Sequence, residues 1–144
     1  MSFGPQVIPF VEHLGFTLHK KENGESELHY TAKPEHLNTF DVTHGGASMS
    51  LLDVTMAVAA RSLESDDLGV VTIEMKTSFM QPARGPLVAK GFVLHRTKTM
   101  AYCEGRVYDD SGRLCSHATG TFKYMPRTKK PGSKDPNETV AATD

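Results

Sequence analysis

The sequence holds only two cysteines, Cys103 and Cys115, with no Cys-x-x-Cys pair, and its seven histidines show no spacing that reads as a zinc site. A disulfide scaffold and a structural metal are both excluded by that pattern. No apolar run approaches the roughly 18 residues that a membrane span needs. Residues 1–16 lack the basic and apolar stretches of a secretion signal. A soluble cytoplasmic protein without metal or cofactor is the expectation. The net charge is −1, which supplies no general attraction to nucleic acid or to an anionic membrane. Neither is expected as a partner.

What is present suits one ordinary globular domain. The chain has 144 residues, of which 38% are hydrophobic and a further 12 are glycine, close to the usual composition and size of a single core. The charge is unevenly spread. Residues 1–75 carry 4 basic and 11 acidic side chains, whereas 76–123 carry 8 basic and 3 acidic. Such an imbalance either marks a site for an anionic ligand or mixes out on one folded surface. Hydrophobic periodicity runs to about Met125 and then fails, so the reading is a domain over 1–125 and a disordered tail over 126–144.

Within the domain, a short helix over Val7–Leu14 precedes strands at Phe16–Lys21 and Ser26–Ala32, with Asn23-Gly24 as the hairpin turn. A polar loop follows from Lys33 to Thr43. Residues Ala47–Leu63 leave no wide polar face, as expected of a buried helix. After it, Val70–Met80 alternates, with Val71, Ile73, Met75 and Phe79 on one side and Thr72, Glu74, Lys76 and Ser78 on the other. Strands at Leu87–Thr97, Met100–Tyr108 and Leu114–Tyr124 complete the order. The economical packing is α+β, an antiparallel sheet wrapped around one long buried helix.

The chemistry concentrates at His44-Gly45-Gly46 and on the helix it opens. Two glycines let a ligand approach the backbone, and the first amides of a helix have no partners inside it. Aligned with the helix dipole, those amides suit a carbonyl oxygen that is gaining negative charge. Asp53 stands in the middle of the most apolar helix. At about 100° per residue, Gly46, Met49, Ser50, Met56, Ala57 and Ala60 share its face. A buried ionised carboxylate costs several kcal/mol unless it is hydrogen-bonded or paired, and Arg61 is too far along the helix to pair with it. Function or a pairing with a distant strand are the two explanations. Ser48 and Ser50 lack the Gly-x-Ser-x-Gly setting of a serine hydrolase.

These residues resemble the hotdog-fold acyl-CoA thioesterases of the PaaI-like group over roughly 30–125. The likeness rests on Asn38 followed by His44-Gly45-Gly46, on Asp53 nine residues after His44, on the run Gly69-Val70-Val71-Thr72-Ile73-Glu74-Met75, and on Phe79-Met80-Gln81-Pro82-Ala83. The resemblance implies hydrolysis of an acyl-CoA thioester. Gly45 would give its amide N–H to the thioester carbonyl, Asn38 would assist, and Asp53 would activate water or attack directly. Thr72 stands where the family often has a hydroxyl that orients water. Lys98-Thr99-Met100-Ala101-Tyr102 looks like the segment near the CoA site, although Thr97 stands where many relatives have glycine. His44, Gly46, Arg84, Arg96, Lys98 and Thr99 are the candidates for substrate contacts, with His44 holding the loop in preference to acting as a base.

Helix geometry adds a condition of its own. Gly45 and Asp53 are eight residues apart, about 12 Å along a helix at ~1.5 Å per residue. One thioester carbon cannot touch both in one chain. If both act, they come from two chains of a homodimer, and the resemblance further implies pairing of dimers into a tetramer. Two other readings stand beside this one. A hotdog module that binds acyl-CoA without turning it over would have no reason to bury Asp53. A hotdog lyase on enoyl-CoA would pair an Asp with a His about five residues on, and none follows Asp41 or Asp53 at that distance.

Overall fold

The computed structural model describes residues 1–127. A short helix α1 (Pro9–Leu14) leads into strands β1 (Thr17–Glu22) and β2 (Glu25–Thr31). Between them Asn23 and Gly24 take φ of 52° and 79°, the pair of positive values that a two-residue hairpin turn demands. A single 3-10 turn at Pro34–His36 interrupts the polar loop before helix α2 (Gly45–Arg61). Strands β3 (Leu68–Phe79), β4 (Pro86–Arg96), β5 (Met100–Tyr108) and β6 (Leu114–Pro126) follow. The six strands form one sheet in the order β1-β2-β4-β5-β6-β3, each neighbour antiparallel. Pro126 pairs with Leu68, and the Arg127 N–H donates to the Asp67 carbonyl. The last strand thus runs just past 125, and the remainder of the expected tail lies outside the described residues.

The sheet curls about α2, as the hotdog arrangement requires, and the core lies between them. Leu51, Leu52, Met56 and Val58 of the helix are fully buried against Leu28, Leu87, Val107 and Phe122 of the strands. The Tyr124 hydroxyl donates to the Ala60 carbonyl at 2.6 Å and ties β6 to the end of the helix. The sheet comes close to the helix backbone at Gly91. A Cβ there would lie 2.5 Å from Ser26 Oγ and 2.7 Å from the Thr55 carbonyl oxygen, the two atoms that share a 2.6 Å hydrogen bond. Gly91→Ala therefore overpacks the core and breaks that bond. The expected loss is about 2–3 kcal/mol, measurable as a fall of several degrees in Tm. An unchanged Tm would mean that the helix can back away from the sheet without penalty.

Two expectations need correction. The helix begins at Gly45, not Ala47, and it is not covered all round. Met49 is 39% exposed, and Ser50, Asp53, Val54 and Ala57 are half-buried, because the sheet of one chain wraps only part of the cylinder. The regular alternation through β3 also fails. Opposite β6, Thr72 pairs with Phe122 but Glu74 already pairs with Thr121, which leaves Ile73 as a bulge. A bulge inserts one residue and reverses the parity of everything beyond it. Thr72 consequently shares the helix-facing side with Met75 and Phe79, while Val71 and Ile73 point away from it.

Candidate active site

The loop before α2 is shaped by two side chains. Asn38 Oδ1 accepts the N–H groups of Phe40 at 2.9 Å and Val42 at 3.3 Å. These two donors fix which end of the side-chain amide is oxygen. The amide nitrogen therefore points elsewhere, and among the described residues it has no acceptor. His44 is the N-cap of α2, and its Nδ1 accepts the Gly46 N–H at 2.8 Å. A Cβ on Gly46 would press on that nitrogen at 3.1 Å, so the second glycine leaves room for the imidazole cap. The Ala47 and Ser48 N–H groups both donate to the His44 carbonyl. Of the first four amides of the helix, only that of Gly45 has no acceptor among the described residues.

That amide borders a cavity of about 490 Å³, a size suited to a small-molecule ligand. Asn38, Phe40, Gly45, Phe79, Arg84 and Ser116 are among its lining residues. The Phe79 ring lies where a Cβ on Gly45 would meet it at 3.5 Å. Cys115 also lines the cavity, but burial, with Asp109 nearby, pushes its thiol pKa up and away from the thiolate form.

Asp53, farther along the same helix, and Thr72 of β3 form a second group. The Thr72 hydroxyl donates to Asp53 Oδ1 at 2.6 Å, which holds one carboxylate oxygen and fixes the orientation of the other. Neither residue lines the Gly45 cavity. The bulge at Ile73 makes both contacts of β3 possible. Residues 72 and 79 are an odd number of positions apart and would face opposite ways in a regular strand. With the extra residue, Thr72 meets Asp53 while Phe79 meets Gly45.

The candidate cationic residues are scattered. Arg84 lines the cavity, whereas Arg96, Lys98 and Thr99 do not. The Arg96 guanidinium is occupied by an ion pair with Glu64 and lies 4.3 Å from the centre of the Tyr124 ring. Lys98 and Thr99 are exposed in the β4–β5 turn. Phe40, Phe79 and Ser116 line the cavity and are not among the sequence candidates. Only Phe79 gave a signal, as part of the run at 79–83.

This fold and this loop-to-helix geometry place the protein among the hotdog proteins, and the chain belongs to the thioesterase superfamily, whose family model matches residues 40–116. It is of the PaaI-like kind, and its chemistry is thioester hydrolysis. A relative from Saccharolobus solfataricus, named provisionally as an esterase, is 34% identical over 109 residues, covering 75% of this chain and 76% of that one. Among solved structures, a conserved protein of Pseudomonas aeruginosa is 28% identical with a TM-score of 0.78, covering 83% of this chain and 95% of its own. The PaaI protein of the E. coli phenylacetic acid degradation operon is 21% identical with a TM-score of 0.77, covering 84% and 87%, and shares the fold. Among the described residues no helix is long and apolar enough to cross a membrane.

Proposed function

We propose that this protein is an acyl-CoA thioesterase acting as a homodimer, with each active site shared between two chains. The observation that carries the reading is the separation of the two groups within one chain. An acceptor-free amide opens onto the cavity at Gly45, and the Thr72-held carboxylate lies about 12 Å along the helix, outside that cavity. A second copy brings them together. The β3 edge has no strand beside it among the described residues, and the open stripe of α2 that carries Met49, Asp53 and Ala57 faces outward. Both features suit a neighbouring chain related by a two-fold axis. Further pairing of dimers into a tetramer is what the family likeness implies.

In this site the thioester oxygen sits against the Gly45 N–H and the Asn38 amide, donors that gain strength as the oxygen becomes negative. The partner's Asp53 takes a proton from water as it attacks, or adds to the carbonyl itself to give an anhydride that water then cleaves. In the first case the C–S bond of the tetrahedral intermediate breaks and Asp53 passes its proton to the departing CoA sulfur; in the second the C–S bond breaks as the anhydride forms, CoA leaves as the thiolate, and the water that cleaves the anhydride supplies the proton. Thiol release from benzoyl-, phenylacetyl-, hexanoyl- and palmitoyl-CoA tests the function. Turnover of at least one is expected, and tight binding of all four without release would make the chain a binding module instead.

Thr72 orients Asp53 and does not itself react. Thr72→Val keeps the β-branched shape and removes one hydrogen bond, worth ~0.5–1.5 kcal/mol net. A fall of about three- to tenfold in kcat is expected. No fall would remove Thr72 from the site, and a fall as deep as that for Asp53→Asn would make its hydroxyl a reacting group.

A further inference from the structure

At the far end of α2 from Gly45, three cationic side chains meet. Arg61, the last residue of the helix, is buried to 8% exposure, and among the described residues its guanidinium has no hydrogen-bond acceptor. Its Nη1 and the Nη2 of Arg127 both lie within 4 Å of one point, the place where a Cβ on Gly4 would stand. Arg127 Nη2 is itself buried without a partner, although Nε of the same side chain donates to the Asp66 carbonyl. Lys21 enters from β1. Burial and the neighbouring Arg61 lower its pKa, and burial together with Arg127 lowers that of Arg61. Among the described residues the carboxylate that faces the group is Asp66, 3.8 Å from Lys21 Nζ and 67% exposed.

A cation at a helix C-terminus is favourable, because the dipole is negative there. That accounts for one of the three. Three cations against one carboxylate leave a surplus of two positive charges, held together at a cost that an anion would relieve. Two guanidinium forks and an ammonium are the donor set that recognises phosphate oxygens. A phosphate group, with about −1.5 to −2 charges, matches the surplus where a carboxylate would leave half of it.

We propose that Lys21, Arg61 and Arg127 form a binding site for a phosphate group at the C-terminal end of α2. Two sources share this chemistry, the phosphates of a CoA substrate and free phosphate or pyrophosphate. The first rests on the function proposed above and the second does not.

Calorimetric titration of the full chain with pyrophosphate at low salt tests the site directly. Binding is expected, and Lys21→Met and Arg127→Gln are each expected to weaken it by roughly tenfold or more, the effect of losing one charge-assisted hydrogen bond. Both positions are less central than Arg61, and circular dichroism of the variants checks that they fold. Absence of heat with the wild-type chain, or unchanged affinity in both folded variants, overturns the proposal. The source is read from turnover. If the variants raise KM for an acyl-CoA and leave kcat unaltered, the phosphate belongs to CoA. If KM stays constant while pyrophosphate binding is lost, it is a free phosphate. A chain that hydrolyses no acyl-CoA would refute the proposed function and leave the pyrophosphate result to decide this site alone.

Discussion

Asp53→Asn is expected to lower kcat for acyl-CoA hydrolysis by at least ~100-fold, the lower range for an acid–base group, while fold and assembly remain. Asparagine is nearly isosteric, and its side-chain oxygen can still accept the Thr72 hydroxyl that Asp53 Oδ1 now accepts at 2.6 Å. What disappears is the negative charge, and with it the capacity to take a proton or to add to a carbonyl. Because the charge sits half-buried on an apolar helix, its removal leaves Tm unchanged or raised. Turnover within threefold of wild type would end the assignment of Asp53 to the chemistry. A large fall in Tm would make it a structural ion-pair partner instead.

How much of this site is legible in the sequence follows from how local each part is. His44-Gly45-Gly46 before an apolar run marks where a helix opens, though not its first residue, and the cap and the acceptor-free amide are made by residues within four positions of one another. Asp53 stands out because a carboxylate conflicts with its neighbours on the helix. The Ile73 bulge could not be read. Val71, Ile73 and Met75 fit period-two alternation equally well with or without an extra residue, and only the register against β6 decides. The cavity wall is non-local too. Phe79 pairs with Ser116 across β3 and β6, and nothing near Ser116 in the chain marks it. The basic residues mislead for a related reason. Arg96 finds Glu64 from 32 positions away, so a cation that reads as available in the sequence is already paired in the fold. Arg61, by contrast, reads as an ordinary helix-terminal charge until Lys21 of β1 and Arg127, just past β6, arrive from distant parts of the chain.

The shared site is expected to show itself as recovery of activity in mixed dimers. One parent carries Asp53→Ala. The other carries Asn38→Asp, chosen because a carboxylate oxygen can still accept the Phe40 and Val42 N–H groups that shape the loop, while the donor aimed at the thioester oxygen is replaced by a repelling charge. Each parent is a weakly active homodimer. Co-expression with random pairing makes about half of the dimers mixed. If Asn38 and Gly45 of one chain work with the partner subunit's Asp53, every mixed dimer has one doubly damaged site and one intact site, so about a quarter of all sites are wild type. With each parent near ~1% of wild-type activity, the level set by an acid–base lesion, the mixture should be roughly 25-fold more active than either. Should Asn38 and Asp53 act within one chain, every site in the mixture carries one lesion and nothing is recovered. Mass spectrometry of the intact assembly establishes that mixed dimers are present. A preparation that contains them and is no more active than its parents refutes the cross-chain site, and with it the reason that the acceptor-free amide of Gly45 and the Thr72-held carboxylate of Asp53 can stand so far apart on one helix.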